Sequence, residues 1–465
     1  MAMKPLTLER IAEVTGGSYC GAPELAARII TGVVRDSREV RPGSLFACIV
    51  GERVDGHGFA NAAFGSGAAA CLAEKPLADA EGPYILVSST LEALQRLAGY
   101  YRSLFDIPFI GITGSVGKTT AKEMVASALS AKYNVLRTPA NLNNELGVPL
   151  TLLSLREEHE AAVIEMGISQ FGEMSLLAEL VRPDITVMTN IGYCHLEFLG
   201  DLDGVLRAKS EVFDHMSPGS LAIVNGDDEL LSTFEPGRGI EKLTFGFGEN
   251  NFCRAENVKS DGSGCVSCDA VCGGRILHLE IPAFGGHMAL GALPAVIVAQ
   301  RLGLSDAELV RGIASYRTVG GRANVIPTGC ITLINDCYNA NPNSMAASVR
   351  SLCTLPGRRV AILGDMKELG DSSALLHRGV GELAAKIGVD CMICTGVEAR
   401  AIYEGFVASG TGRPAYYFAD KEELVPLLPA IIRYGDAVLV KASHSMDFDR
   451  IVAALSALDL ACVNA

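Results

Sequence analysis

The chain has 465 residues, 49% of them apolar, so it is too long for a single core and rich enough in hydrophobic side chains to bury several. Its formal charge of -14 argues against a nucleic-acid partner, which would need a basic face; an anionic small ligand must be met by locally placed Lys and Arg. No apolar run approaches the length of a membrane span, and the start MAMKPLTLERIAEVTGG carries acids without an apolar stretch, so neither anchor nor signal peptide is expected and the predicted location is cytoplasmic.

Residues 1–105 hold short apolar runs separated by PG and DGHG, which predict a small mixed α/β domain. Residues 106–320 open on the apolar run IPFIGIT, a buried strand, and continue through TTAKEMVASALSAKY, whose apolar spacing predicts a helix. There AAVIEMG, DITVMTNIG and SLAIVNGD alternate with helical stretches, the pattern of a mainly parallel sheet. Residues 321–465 repeat the alternation in ITLINDCYN, RRVAILGDM, DCMICTG and DAVLVKAS, which predicts a second, Rossmann-like doubly wound sheet. The expected fold is therefore α/β with three domains: 1–105, 106–320 and 321–465.

Between the strand and helix of the second domain stands GITGSVGKTT, Gly111 to Thr120. The strict P-loop pattern fails, because Ile112 occupies the position of its first glycine. The physical part survives: Gly114, Ser115, Val116 and Gly117 can curl into a nest of N–H groups, Lys118 supplies a charge, and the helix N-terminus attracts phosphate. Thr119 then places a hydroxyl where such folds bind Mg2+, and Thr120 completes the loop.

Ligands of open parallel sheets collect at the carboxyl ends of strands. In the second domain these ends carry Glu165, Asn190 and, five residues on, His195; in the third they carry Asp336, Tyr338, Asn339, Asn341, Asp365, Lys441, Ser443 and His444. Polar ends on both sheets point to a site between domains. Glu165 suits a Mg2+ ligand, and His195 suits a metal, a γ-phosphate or a structural role. Lys209, in VLRAKSEVF, reads in isolation as a solvated helix residue. Cys253, Cys265, Cys268 and Cys272 could supply thiolates to zinc, yet CVSCDAVC holds one CxxC and alternates like a strand. Cys391 and Cys394 read as packing in a buried strand.

TGSVGKTT, TPANLNNELGVPLTLL, IEMGISQFGEM, TNIGYCHLEFLG, RAKSE, GGRANV, DCYNANPNSM and LGDMKELG, in this order, resemble the Mur ligase family nearly end to end, and DSREVRPGSLF with DGHGF resembles that family's uridine-nucleotide-binding domain. Within the family, YNANPNSM and GDMKELG are most similar to the branch that adds D-alanyl-D-alanine. The resemblance implies an ATP-dependent, ADP-forming amide ligase of peptidoglycan precursor synthesis. ATP would phosphorylate the terminal carboxylate of UDP-N-acetylmuramoyl-tripeptide, and the amine of D-alanyl-D-alanine would attack the acyl phosphate. It further implies that Gly114, Ser115, Val116, Gly117, Lys118, Thr119 and Thr120 hold the ATP phosphates and that Thr119 and Glu165 bind Mg2+. His195 would help place a second Mg2+, and Lys209 would be a carbamate near the metal. Lys118, Glu165, His195 and Lys209 would thus form the catalytic set. Arg322 would face the phosphates, Asp336 and Asn339 the nucleoside, and Ser37, Arg38, Asn143 and Asn144 the UDP-substrate. A monomer is expected.

The chain departs from the family where Met288 and Gly291 replace asparagines that grip adenine, and where Ala442 and His444 stand in place of glycine and arginine; imidazole cannot replace a permanent cation at pH 7. Alternative readings are a sister ligase adding a diamino acid, whose DNPR-like motif is missing, and a P-loop nucleotide switch, whose NKxD-type base reader is missing after the loop. Folylpolyglutamate synthase shares the loop and the lysine without the DSR and DGH segments.

Overall fold

The computed structural model describes residues 3–460 except Glu52, Arg238, Asp261 and Ser263; the outermost parts of the first and third expected domains, residues 1–2 and 461–465, lie outside the described residues. The fold is α/β, built on three large sheets and a two-stranded pair, Leu6–Thr7 with Ile29–Ile30. A five-stranded sheet in the order Ser18–Cys20, Tyr84–Leu86, Ala70–Ala73, Ser44–Ala47, Gly32–Val34 falls within the first segment. All its strands are parallel except the first, which pairs antiparallel with Tyr84–Leu86.

The central sheet has nine strands, in the order Arg275–Ile281, Val266–Cys272, Cys253–Ser260, Glu241–Gly246, Leu221–Asn225, Ile185–Met188, Phe109–Thr113, Ala161–Glu165, Val135–Arg137. The P-loop strand, Phe109–Thr113, lies between Ile185–Met188 and Ala161–Glu165 and runs parallel to both. It is buried along its whole length, which explains its unbroken apolar sequence. CVSCDAVCGGRILHLEI forms the expected antiparallel hairpin, with Cys253 opposite Cys272 on the preceding strand.

The P-loop helix spans Lys118–Leu129, shorter than the apolar spacing predicts. Ala131 N and Lys132 N bond back to Ala128 and Leu129 carbonyls, turning the chain, and the Tyr133 hydroxyl donates to Leu302 O at 2.6 Å. One face of this helix packs on Met288–Arg301 in the core beneath the sheet.

The third sheet has the order Asn324–Pro327, Thr332–Asn335, Ala437–Lys441, Arg359–Gly364, Cys391–Thr395, Ala415–Phe418, parallel except at its first, edge strand. Cys391 and Cys394 are fully buried in it, as expected for packing residues. Phe284, carried by the central segment, packs into the core that contains Met345, Val349 and Leu352, so the second and third segments share apolar contact beside the site. None of the helices among the described residues is long and apolar enough to cross a membrane.

Candidate active site

The carboxyl end of the P-loop strand delivers Gly114 with φ 135°, and a Cβ there would lie 2.0 Å from Thr189 Oγ1 and 3.0 Å from Thr189 N. Only glycine allows the loop to press against the adjoining strand end in this conformation. Ser115 N donates to Asn190 O at 3.0 Å and Val116 N to Asn190 Oδ1 at 2.8 Å. The expected nest over Gly114–Gly117 is thus shifted, because Asn190 takes two of its amides. Gly117, φ 81°, turns the chain into the helix, whose first bond runs from Ala121 N to Gly117 O at 2.9 Å. The amides of Gly117 to Thr120 precede that bond and form the helix end that attracts anions. Lys118 Nζ folds over the loop onto Gly114 O at 2.8 Å.

Glu165, the last residue of its strand, is 1% exposed. Its Oε2 and Oε1 accept from Thr119 Oγ1 at 2.9 and 3.1 Å, and Oε1 also accepts from Asn143 Nδ2 at 2.8 Å. Two hard oxygen donors from strand and helix therefore converge beside the loop, a set that suits Mg2+.

Lys209, on helix Leu202–Ser210, is 0% exposed, which overturns the reading of it as a solvated residue. Its Nζ has no hydrogen-bond partner among the described residues. Burial pushes the Lys209 ammonium down to about 8 from 10.5; the Lys118 charge adds to the shift and Cys194 opposes it. An amine so placed is partly neutral near pH 7, and its surroundings leave a buried polar atom unsatisfied. His195, in left-handed conformation at φ 52°, brings Nδ1 to 2.6 Å from Glu368 Oε2 of the third segment, a close imidazole–carboxylate contact. This holds the Glu368 carboxyl below its usual range.

A cavity of about 770 Å³ opens between the second and third segments. Its wall includes Ser115 to Thr120, Glu165, His195, Asn143, Asn144, Arg322, Asp336 and Asn339. Gly114 and Lys209 are not among the residues that line it. Ser37 and Arg38 do not reach it: they sit in a short 3-10 turn of the first segment, where Arg38 is 87% exposed and pairs with Asp36. The Arg322 guanidinium stacks 3.9 Å over Tyr338. The Asp336 carboxylate is held by Lys441 Nζ at 2.7 Å, Ser348 Oγ at 2.5 Å and Ala323 N at 3.0 Å. His444 is exposed, its ring 5.4 Å from Tyr338.

Met288 and Gly291 also line the cavity. A Cβ at Gly291 would meet Thr120 Cγ2 at 3.0 Å and Met124 Sδ at 3.1 Å, so glycine lets its helix lie close against the P-loop helix. Sequence reasoning missed Asn225 and Phe245 in the cavity wall, Glu368 opposite His195, and the buried Lys122 behind Glu165. Lys122 had a signal: it follows Thr119 by three residues, on the same helix face. Glu368 had none, since its partner lies 173 positions away by the residue numbers.

Three family models match in register with these structures: Mur ligase family, catalytic domain, over residues 29–102; Mur ligase middle domain over 112–299; and Mur ligase, glutamate ligase domain, over 321–444. The chain is 33% identical to the UDP-N-acetylmuramoyl-tripeptide--D-alanyl-D-alanine ligase of Bacillus subtilis, covering 96% of this chain and 97% of that one. It is 35% identical to the ligase of the same name from Escherichia coli, with 97% and 99% covered. Among solved structures, it superposes on MurF from Acinetobacter baumannii with a TM-score of 0.89, 32% identity and 98% and 100% coverage. On MurF ligase from Thermotoga maritima in complex with ADP the TM-score is 0.81, with 30% identity and 91% and 97% coverage. With its P-loop, its buried strand-end carboxylate and end-to-end similarity to these ligases, the chain belongs to the Mur ligase family.

Proposed function

We propose that this protein is the ATP-dependent, ADP-forming ligase that joins D-alanyl-D-alanine to UDP-N-acetylmuramoyl-tripeptide, yielding the UDP-muramoyl-pentapeptide precursor of peptidoglycan. The observation that carries the reading is similarity over nearly the full chain to relatives of that name, together with a cavity that joins the P-loop to residues of the third segment.

In this reading the tripeptide's terminal carboxylate oxygen attacks the γ-phosphorus and ADP leaves. The D-alanyl-D-alanine nitrogen then attacks the acyl carbon, phosphate leaves, and the nitrogen sheds a proton as the amide forms. A carboxylate is a poor electrophile and its phosphate anhydride a good one, so the protein's part is alignment and charge neutralisation. The amides of Gly117 to Thr120 and the Lys118 ammonium meet the phosphates, and Arg322 faces them from across the cavity. Asp336 and Asn339 border the nucleoside, while Asn143 and Asn144 border the UDP-substrate. Ser37 and Arg38 await its uridine end on the first segment.

Mg2+, when bound, neutralises the β- and γ-phosphate oxygens. Thr119 Oγ1 and Glu165 are the residues that would hold it, with His195 serving a second ion. Lys209 fits a carbamate: CO2 adds only to an uncharged amine, burial favours that form, and the Nζ is tied to no hydrogen-bond partner among the described residues. The proposed domains are 1–105 for UDP-substrate, 106–320 for ATP and 321–465 as the Rossmann-like ligase domain. We further read the protein as a cytoplasmic monomer.

The test is a substrate panel. With ATP, Mg2+ and UDP-muramoyl-tripeptide, phosphate release should require D-alanyl-D-alanine; comparable turnover with a diamino acid would overturn the assignment.

A further inference from the structure

Lys122 is among the largest fully buried side chains of the molecule. A buried ammonium is costly unless partners lie close to it. Its Nζ has four: Thr138 O at 2.8 Å, Glu123 Oε1 at 2.9 Å, Ala140 O at 3.3 Å and Glu165 Oε2 at 3.7 Å. Glu123 already has a second cation, Arg137 Nη1, at 3.2 Å. Two carboxylates thus face two cations, and with Arg137 on Glu123 the Lys122 charge is left to balance Glu165.

The two carbonyls belong to the segment leading to Asn143 and Asn144. Ala140 stands at φ 45°, a left-handed conformation that strains a non-glycine residue, and it is this strained peptide whose carbonyl Lys122 holds. Beyond it, Leu142 N bonds to Pro139 O at 3.1 Å and Asn143 N to Asn141 O at 2.8 Å. Asn143 then returns to Glu165 through Nδ2, and its carbonyl accepts from Gly167 N at 2.8 Å. Lys122 therefore touches Glu165 from one side and the loop that reaches Glu165 from the other.

We propose that Lys122 is a positioning residue: anchored in the P-loop helix, it holds the 138–144 loop in its strained turn so that Asn143 and Asn144 present a preformed surface to the UDP-substrate. The proposal rests on the reading above that this loop meets that substrate. A merely structural lesion in the P-loop helix would harm nucleotide binding first; loss of the anchor harms the other substrate.

Two variants test it, Lys122→Met and the charge-balanced Lys122→Met/Glu123→Gln, which removes one carboxylate along with the cation so that the cluster keeps its net charge. Calorimetric titration with UDP-muramoyl-tripeptide, without ATP or metal, should show Kd raised about tenfold or more, in line with the cost of misplacing a positioning loop. ADP binding to the P-loop should stay within about threefold, a difference under 1 kcal/mol. UDP-muramoyl-tripeptide binding by the charge-balanced variant as tight as wild type, or ADP binding weakened as much as substrate binding, overturns the role of Lys122. Wild-type protein that binds no UDP-muramoyl-tripeptide would instead overturn the functional reading on which the role depends.

Discussion

Replacing Lys209 with methionine should make the protein more stable and inactive. In the folded chain burial lowers the lysine from 10.5 to about 8. Below about pH 8 folded and unfolded chains both hold the proton, so the full penalty of a buried charge applies; between about 8 and 10.5 only the unfolded chain holds it, and the penalty fades as pH rises. The gap corresponds to on the order of 3 kcal/mol at pH 7. The same shift raises the neutral fraction at pH 7 from about 0.03% to about 9%, which is what makes CO2 addition feasible there. Methionine keeps the apolar stem and removes both charge and amine. Urea denaturation in CO2-depleted, nucleotide-free buffer at pH 7 should show Lys209→Met more stable than wild type, with the difference shrinking toward pH 10. ADP release should be lost, and Lys209→Ala should regain part of it with a short carboxylic acid in the buffer. A variant less stable than wild type at pH 7, or one releasing ADP at the normal rate, would refute the reasoning.

Two other substitutions probe the loop and the strand-end carboxylate. Gly114→Ala forces a Cβ to within 2.0 Å of Thr189 Oγ1 at a φ of 135°, so ATP binding measured by calorimetry should fall at least tenfold and the melting temperature should drop. Thr119→Val removes the hydroxyl that donates to both oxygens of Glu165, and steady-state ADP release should fall about a hundredfold, whereas Thr119→Ser, which keeps the donor, should retain most of it. A valine variant with the serine variant's rate would exclude that hydroxyl from the site.

The parts legible in advance share a local cause. IPFIGIT, GSVGKTT and the helix behind them announce themselves because apolar period, glycine placement and the lysine all lie within one stretch of chain. The parallel strands leading to Glu165, Asn190 and Lys441 were readable as apolar runs followed by polar residues. Glu241–Gly246 and Val135–Arg137 were not: the first begins on exposed Glu241 and half-buried Lys242, and the second is a three-residue edge strand. Neither shows the apolar run of a buried central strand.

Sequence by itself determined the α/β class, the position of the phosphate loop and the membership of Glu165 in its neighbourhood, since each depends on residues adjacent in the chain or on the rule that parallel strands present their carboxyl ends together. Tertiary structure alone decided that Lys209 is buried with no hydrogen-bond partner among the described residues, that Asn190 claims two loop amides, that His195 meets Glu368, and that Lys122 lies between a carboxylate and a strained turn. Burial and charge pairing arise from elements distant in the chain packing against one another, and a charged residue in an amphipathic helix looks the same in sequence whether water or a second helix covers it.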